Sequence, residues 1–99
     1  MSWIVRVVPD AEAELEASAR WYDEHAGLGS ELVRAMEAAL GAIAEAPLRY
    51  PLWRPQSPYR KHLVRRFPYV VIYRVLADCV EIIAFAHVRR RAGYWLSRT

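Results

Sequence analysis

The sequence predicts an α+β fold: a helical hairpin packed on one face of a small, mostly antiparallel sheet, in the order β-α-α-β-β-β. Three observations carry this expectation. Residues 9–46 repeat apolar groups at helical spacing on either side of a break at Gly27 and Gly29. Residues 59–86 hold alternating runs rich in Val, Ile, Tyr and Phe, the composition of strands. Between them Pro47, Pro51, Pro55 and Pro58 end the helical region and impose an ordered, irregular loop. The 99 residues suffice for one hydrophobic core but not two, so residues 1–99 are expected to form a single domain.

Trp3 to Val8 reads as a short strand, stopped by Pro9, which suits the first position of a helix because its missing N–H has no partner there anyway. Asp10, Glu12 and Glu14 favour the positive end of that helix, expected over residues 9–25. Its buried stripe is Ala11, Leu15, Ser18, Ala19 and Tyr22. Ser30 is the expected N-cap of a second helix that runs to about Ala46, burying Leu32, Met36, Leu40 and Ile43 with Val33 and Ala39 alongside. A connection this short makes the two helices antiparallel neighbours.

Strands are expected at about Tyr59–Arg66, Tyr69–Leu76 and Cys79–Ala86. A two-residue turn at Ala77-Asp78 sets Arg74 opposite Glu81, Ile72 opposite Ile83 and Val70 opposite Phe85. The other face carries Tyr69, Val71, Tyr73, Val75, Val80, Ile82, Ala84 and Ala86, and is expected to receive the helices. The first face continues to His87 and is expected to be the open, working surface.

Charge is segregated along the chain. Residues 1–46 carry three arginines against nine acids, and residues 47–99 carry eleven basic groups against two acids. Lys61 is the one basic residue that is not arginine. A preference for arginine codons explains the choice of arginine but not the separation of sign, which invites an anionic partner. One cysteine, Cys79, excludes an internal disulfide, and no Cys/His spacing suggests a metal; neither metal nor cofactor is expected. The apolar runs are strand-length, so no membrane partner is expected, and no secretory signal opens the sequence, so a cytoplasmic location is.

The richest stretch is His87-Val88-Arg89-Arg90-Arg91-Ala92-Gly93-Tyr94-Trp95-Leu96-Ser97-Arg98. Guanidinium groups present planar donor forks to phosphate or carboxylate, and Tyr and Trp add flat apolar faces. Arg65, Arg66, Arg89, Arg90, Arg91, Trp95 and Arg98 are therefore the candidate partner-binding residues. For Trp95 a cap on the open end of the core is the favoured role. His87 is the natural proton-transfer candidate.

Two longer patterns point to a family. They are Arg65-Arg66-Phe67-Pro68-Tyr69-Val70-Val71-Ile72-Tyr73-Arg74-Val75 and Val80-x-Ile82-x-x-Phe85-Ala86-His87-x-Arg89-Arg90, preceded by Pro9-Asp10-Ala11-Glu12-Ala13-Glu14-Leu15, Tyr22 and Leu28-Gly29. In this order and spacing they resemble the RelE/ParE superfamily of type II toxins, and the strand around Tyr69–Arg74 looks closer to the ParE branch. That branch implies a non-enzymatic inhibitor that binds DNA gyrase and is neutralised by a cognate antitoxin encoded adjacently. The RelE branch instead implies cleavage of mRNA on the ribosome, with His87 and Tyr94 as its catalytic groups; Val70 and Val88, however, stand where that branch has arginines. A third reading is an inactive, toxin-like nucleic-acid-binding domain.

Overall fold

The computed structural model describes residues 2–99. Strand β1 (Val5–Val7) leads through Pro9 into helix α1 (Pro9–Ala26), with the proline at the start of the helix as expected. Gly27 ends α1 in the left-handed conformation at φ 66°, and the Gly27 and Leu28 amides donate back to the carbonyls of Asp23 and Tyr22. Helix α2 (Gly29–Glu45) starts one residue before the expected cap: Leu28 occupies the cap position and no side chain caps the helix. A Cβ on Gly29 would lie 2.9 Å from both the Ala19 carbonyl oxygen and the Asp23 Cβ, so this glycine lets the two helices touch.

After the proline loop come β2 (Tyr59–Leu63), β3 (Tyr69–Val75) and β4 (Val80–His87). The sheet order is β1-β4-β3-β2, antiparallel except that β1 runs parallel to β4. Both helices lie on one face. Ala11, Leu32, Met36, Ala39 and Ile43 pack there against Val71, Tyr73, Val80, Ile82 and Phe85. The Tyr73 hydroxyl donates to the Pro47 carbonyl at 2.6 Å, and burial pushes its pKa up to about 12.

Near the β3–β4 turn the register is the expected one: Val75 faces Val80, Arg74 faces Glu81 and Tyr73 faces Ile82. A β-bulge then inserts one residue, so Ile72 pairs with Ala84 rather than Ile83, and Val70 with Ala86 rather than Phe85. A slip of one residue exchanges faces. Phe85 joins the helix-side core, while Ala84 and Ala86 turn to the second face, contrary to the alternation read from sequence. The bulky ring thus fills the space under the helices. The two small residues leave room opposite for Trp95.

That second face is not open. Tyr59, Ile72, Ile83, Ala84, Ala86 and Trp95 form a second buried cluster, with Trp53 and Tyr94 packed at its margin. Its cover is the C-terminal segment, which ends in a 3-10 turn at Leu96–Arg98. A sheet with too few helices to cover both sides uses its own tail.

Glu81 is buried between two arginines, Arg6 at 2.5 Å and the expected Arg74 at 2.8 Å. Burial raises the carboxyl pKa, but the hydrogen bonds from both guanidiniums outweigh it and the net shift is downward. A lowered folded-state pKa contributes stability above the unfolded value, and that contribution disappears as pH falls through the folded one. The stability gap between wild type and Glu81→Gln, measured by denaturant titration, is expected to be full at neutral pH and to close below about pH 4. Gly29→Ala should cost about 1–3 kcal/mol in the same measurement, because backbone lies against the new methyl.

Candidate functional site

β1 pairs with β4 only as far as Ile82, where the chain turns into α1. Beyond that point β4 has no neighbouring strand on this side among the described residues, and side chains take over its backbone bonds. The Phe85 amide donates to Glu14 Oε1 at 3.1 Å, and Arg98 donates to the Ile83 carbonyl at 3.0 Å. Glu14 and Arg98 also bind each other through two hydrogen bonds, at 2.7 and 3.0 Å, and the Tyr94 hydroxyl donates to the same carboxylate. One carboxylate on α1 therefore caps a strand edge and fastens the C-terminal segment.

This clamp decides the roles of several predicted site residues. Arg98 is turned inward onto Glu14, with Asp10 at 3.6 Å, and is not presented to a partner. Trp95 is 2% exposed and packs edge-on against Trp53 and Tyr59, so it serves the core. Tyr94 is half-buried, and its pKa is driven well above the usual phenol value by burial and then by donation to Glu14. A phenol committed in this way is a poor general base near neutral pH.

His87 ends β4 on the helix side of the sheet, edge-on to the Tyr69 ring at 5.2 Å, because the bulge moved it there with Phe85. Its Nδ1 accepts the Arg89 amide at 3.1 Å, which puts the proton of the neutral ring on Nε2. The expected working face is therefore corrected: the second face of the sheet is covered, and His87 stands at the strand end, where it lines one depression together with Arg90 and Arg91.

The arginines gather at the end of the sheet instead. Arg65 and Arg66 sit in the β2–β3 turn, where Arg66 takes a positive φ of 73°. Arg89, Arg90 and Arg91 follow β4, and the Val88 amide bonds the Pro68 carbonyl at 2.9 Å, joining the two turns. All five are exposed, and none makes an ion pair among the described residues. Arg90 lies over the Tyr94 ring at 3.8 Å.

Between this arginine end and the covered second face lies a groove of about 240 Å³. Val70, Ile72 and Ala86 form its apolar floor, Trp53, Trp95 and His87 also line it, and the exposed Lys61, Arg90 and Arg91 reach its rim. Sequence reading missed Trp53, which lay among loop prolines, and it took Glu14 for an ordinary helix-dipole acid. Neither carries a local signal: the Glu14 partners are 71 to 84 residues away in sequence. Among the described residues no His, Cys, Asp and Glu cluster could hold a metal, and no helix is long and apolar enough to cross a membrane.

A family model described as the ParE toxin of the type II toxin-antitoxin system, parDE, matches residues 5–92. The chain belongs to the ParE toxin family. Among solved structures, a chain of the chromosomal ParDE toxin-antitoxin system from P. aeruginosa superposes with a TM-score of 0.77 at 15% identity. The match covers 87% of the present chain and 96% of the other. At that identity it shows a shared fold: two helices against a four-stranded mixed sheet. Among curated proteins, no sequence matches this ParE-family chain closely enough to count as a relative.

If Glu14 is the clamp, Glu14→Ala should destabilise by about 2–4 kcal/mol, since it strands the Arg98 guanidinium and the Phe85 amide. Hydrogen exchange should accelerate first across residues 83–98 and leave α2 protected. Uniform acceleration would show that the carboxylate has no special hold on the tail.

Proposed function

We propose that this ParE-family chain is the toxin of a two-gene system, with residues 1–99 as one toxin unit. It acts in the cytoplasm by binding DNA gyrase and arresting growth, and an antitoxin encoded beside it neutralises it. The observation that carries the reading is the family match over residues 5–92. The geometry of the exposed groups supports inhibition by binding over RNA cleavage. An inhibitor needs a presented surface, and five exposed arginines at one end of the sheet supply a cationic one. A nuclease needs a free acid and a free base around the scissile phosphate, whereas the Tyr94 hydroxyl is engaged by Glu14.

In this reading Arg65, Arg66, Arg89, Arg90 and Arg91 make the charged contacts with gyrase, the antitoxin or both. Trp95 and Arg98 act beneath them by holding the tail in place.

Expression without the neighbouring gene should arrest growth and induce a DNA-damage response with double-strand breaks, and co-expression of the neighbour should restore growth. Purified protein should bind gyrase and inhibit its supercoiling activity. Loss of translated transcripts without DNA damage would replace this reading with mRNA cleavage, and growth arrest that survives His87→Ala would then narrow the search for the catalytic group.

A further inference from the structure

The groove beside the arginine end is built for one kind of occupant. Its floor is aliphatic and small: Val70 and Ile72 from β3, and Ala86, which the β-bulge turns to this face. At about 240 Å³ it falls below the roughly 300–1,000 Å³ of sites for drug-sized ligands, and suits a single bulky side chain. Aromatic rings surround it, but they are already engaged. Arg54 lies over the Trp53 ring at 4.1 Å, Trp95 meets Trp53 edge-on at 4.7 Å, and Arg90 covers the Tyr94 ring at 3.8 Å. His87 also lines the groove, edge-on to Tyr69, and a nucleobase would have to displace an arginine to stack on Trp53 or Tyr94. An aliphatic or aromatic side chain needs only the floor.

The rim supplies the second half of the recognition. Lys61, Arg90 and Arg91 are exposed, reach the groove and have no acidic partner among the described residues. The two acids of residues 47–99 do not compensate them: Glu81 is buried between Arg6 and Arg74, and Asp78 lies in the turn at the far end of β4. An apolar seat ringed by unpaired cations matches an apolar side chain flanked by carboxylates.

We infer that this groove seats an acidic peptide segment of the neutralising partner, with one large apolar side chain over Val70, Ile72 and Ala86 and flanking carboxylates on Lys61, Arg90 and Arg91. The inference rests on the antitoxin reading and adds to it the place and chemistry of contact. Burial of the anchor supplies most of the affinity, while the cations set encounter rate and register.

The test uses the full chain labelled for amide NMR and three probes. These are a short peptide of alternating glutamate and serine with one central tryptophan, the same peptide with serine at the centre, and oligothymidylate. The tryptophan peptide should shift the amides of Val70, Ala86, Val88 and Arg91, and the serine-centred peptide should bind about tenfold more weakly. The double variant Lys61→Glu, Arg91→Glu should weaken the tryptophan peptide by about tenfold and flatten its salt dependence. Ala86→Leu, which fills the floor, should abolish the tryptophan preference; should it fail to fold, the exposed charge variant still decides.

Equal binding of both peptides would reduce the groove to a charge patch, and displacement by oligothymidylate at lower concentration would make it a nucleic-acid site. Either outcome overturns the inference, as do shifts confined to other faces. A neighbouring antitoxin that binds the double variant at full strength would also remove the groove from the complex and leave the antitoxin reading standing. Failure of that antitoxin to bind the unaltered chain would instead remove the antitoxin reading.

Discussion

Strand β4 outlasts its parallel neighbour, and the rest of the molecule is arranged around that mismatch. β1 spans Val5–Val7, whereas β4 runs from Val80 to His87, so half of a central strand would face the helix layer with unpaired backbone groups. Buried amides and carbonyls left without partners are costly. Glu14 supplies the acceptor for Phe85 and Arg98 the donor for Ile83, and the pair neutralise each other's charge. Because Arg98 and Tyr94 both come from the tail, capping the strand and closing the second face of the sheet are one event.

The parts of this fold that depend on local sequence could be read in advance. Pro9 at a helix start, Gly27 in the left-handed region and the Ala77-Asp78 turn each act through their own backbone, and the turn brought Arg74 to Glu81 as expected. The bulge was invisible for a specific reason. From Ile82 to Ala86 every residue is apolar, so no polar side chain marks which way the strand faces, and a strand buried on both sides loses its alternation signal. The Glu14 clamp was hidden by distance, since its partners lie beyond residue 82 while its neighbours along α1 are ordinary helix formers. Trp95 was legible as a cap on the core, but the extent to which the tail covers the second face depends on that clamp and was hidden with it.

Nine of the thirteen arginines fall into two groups that composition alone could not separate. Arg6, Arg74 and Arg98 neutralise buried or half-buried carboxylates, and Arg60 donates to the carbonyls of Leu48 and Tyr50. These hold the fold. Arg65, Arg66, Arg89, Arg90 and Arg91 meet no acid among the described residues and crowd the end of the sheet where two turns are joined by the Val88–Pro68 hydrogen bond. Segregation of sign along the chain thus has a double cause: part is internal neutralisation, and the remainder is an uncompensated field at one end.

Such a field steers a partner but does not hold it, because exposed charge pairs contribute little once salt screens them. Tight association needs apolar area removed from water, and most of the sheet's apolar area is already inside. The groove over Val70, Ile72 and Ala86 is where the two requirements meet, next to the cations and short of the cover that Trp95 provides elsewhere. Its walls belong to the tail and the proline loop, which Glu14 and the Trp53–Trp95 contact hold against the sheet. If the groove seats the partner as inferred, a substitution at Trp95 or Arg98 weakens binding without either residue touching the partner, since the seat itself would loosen.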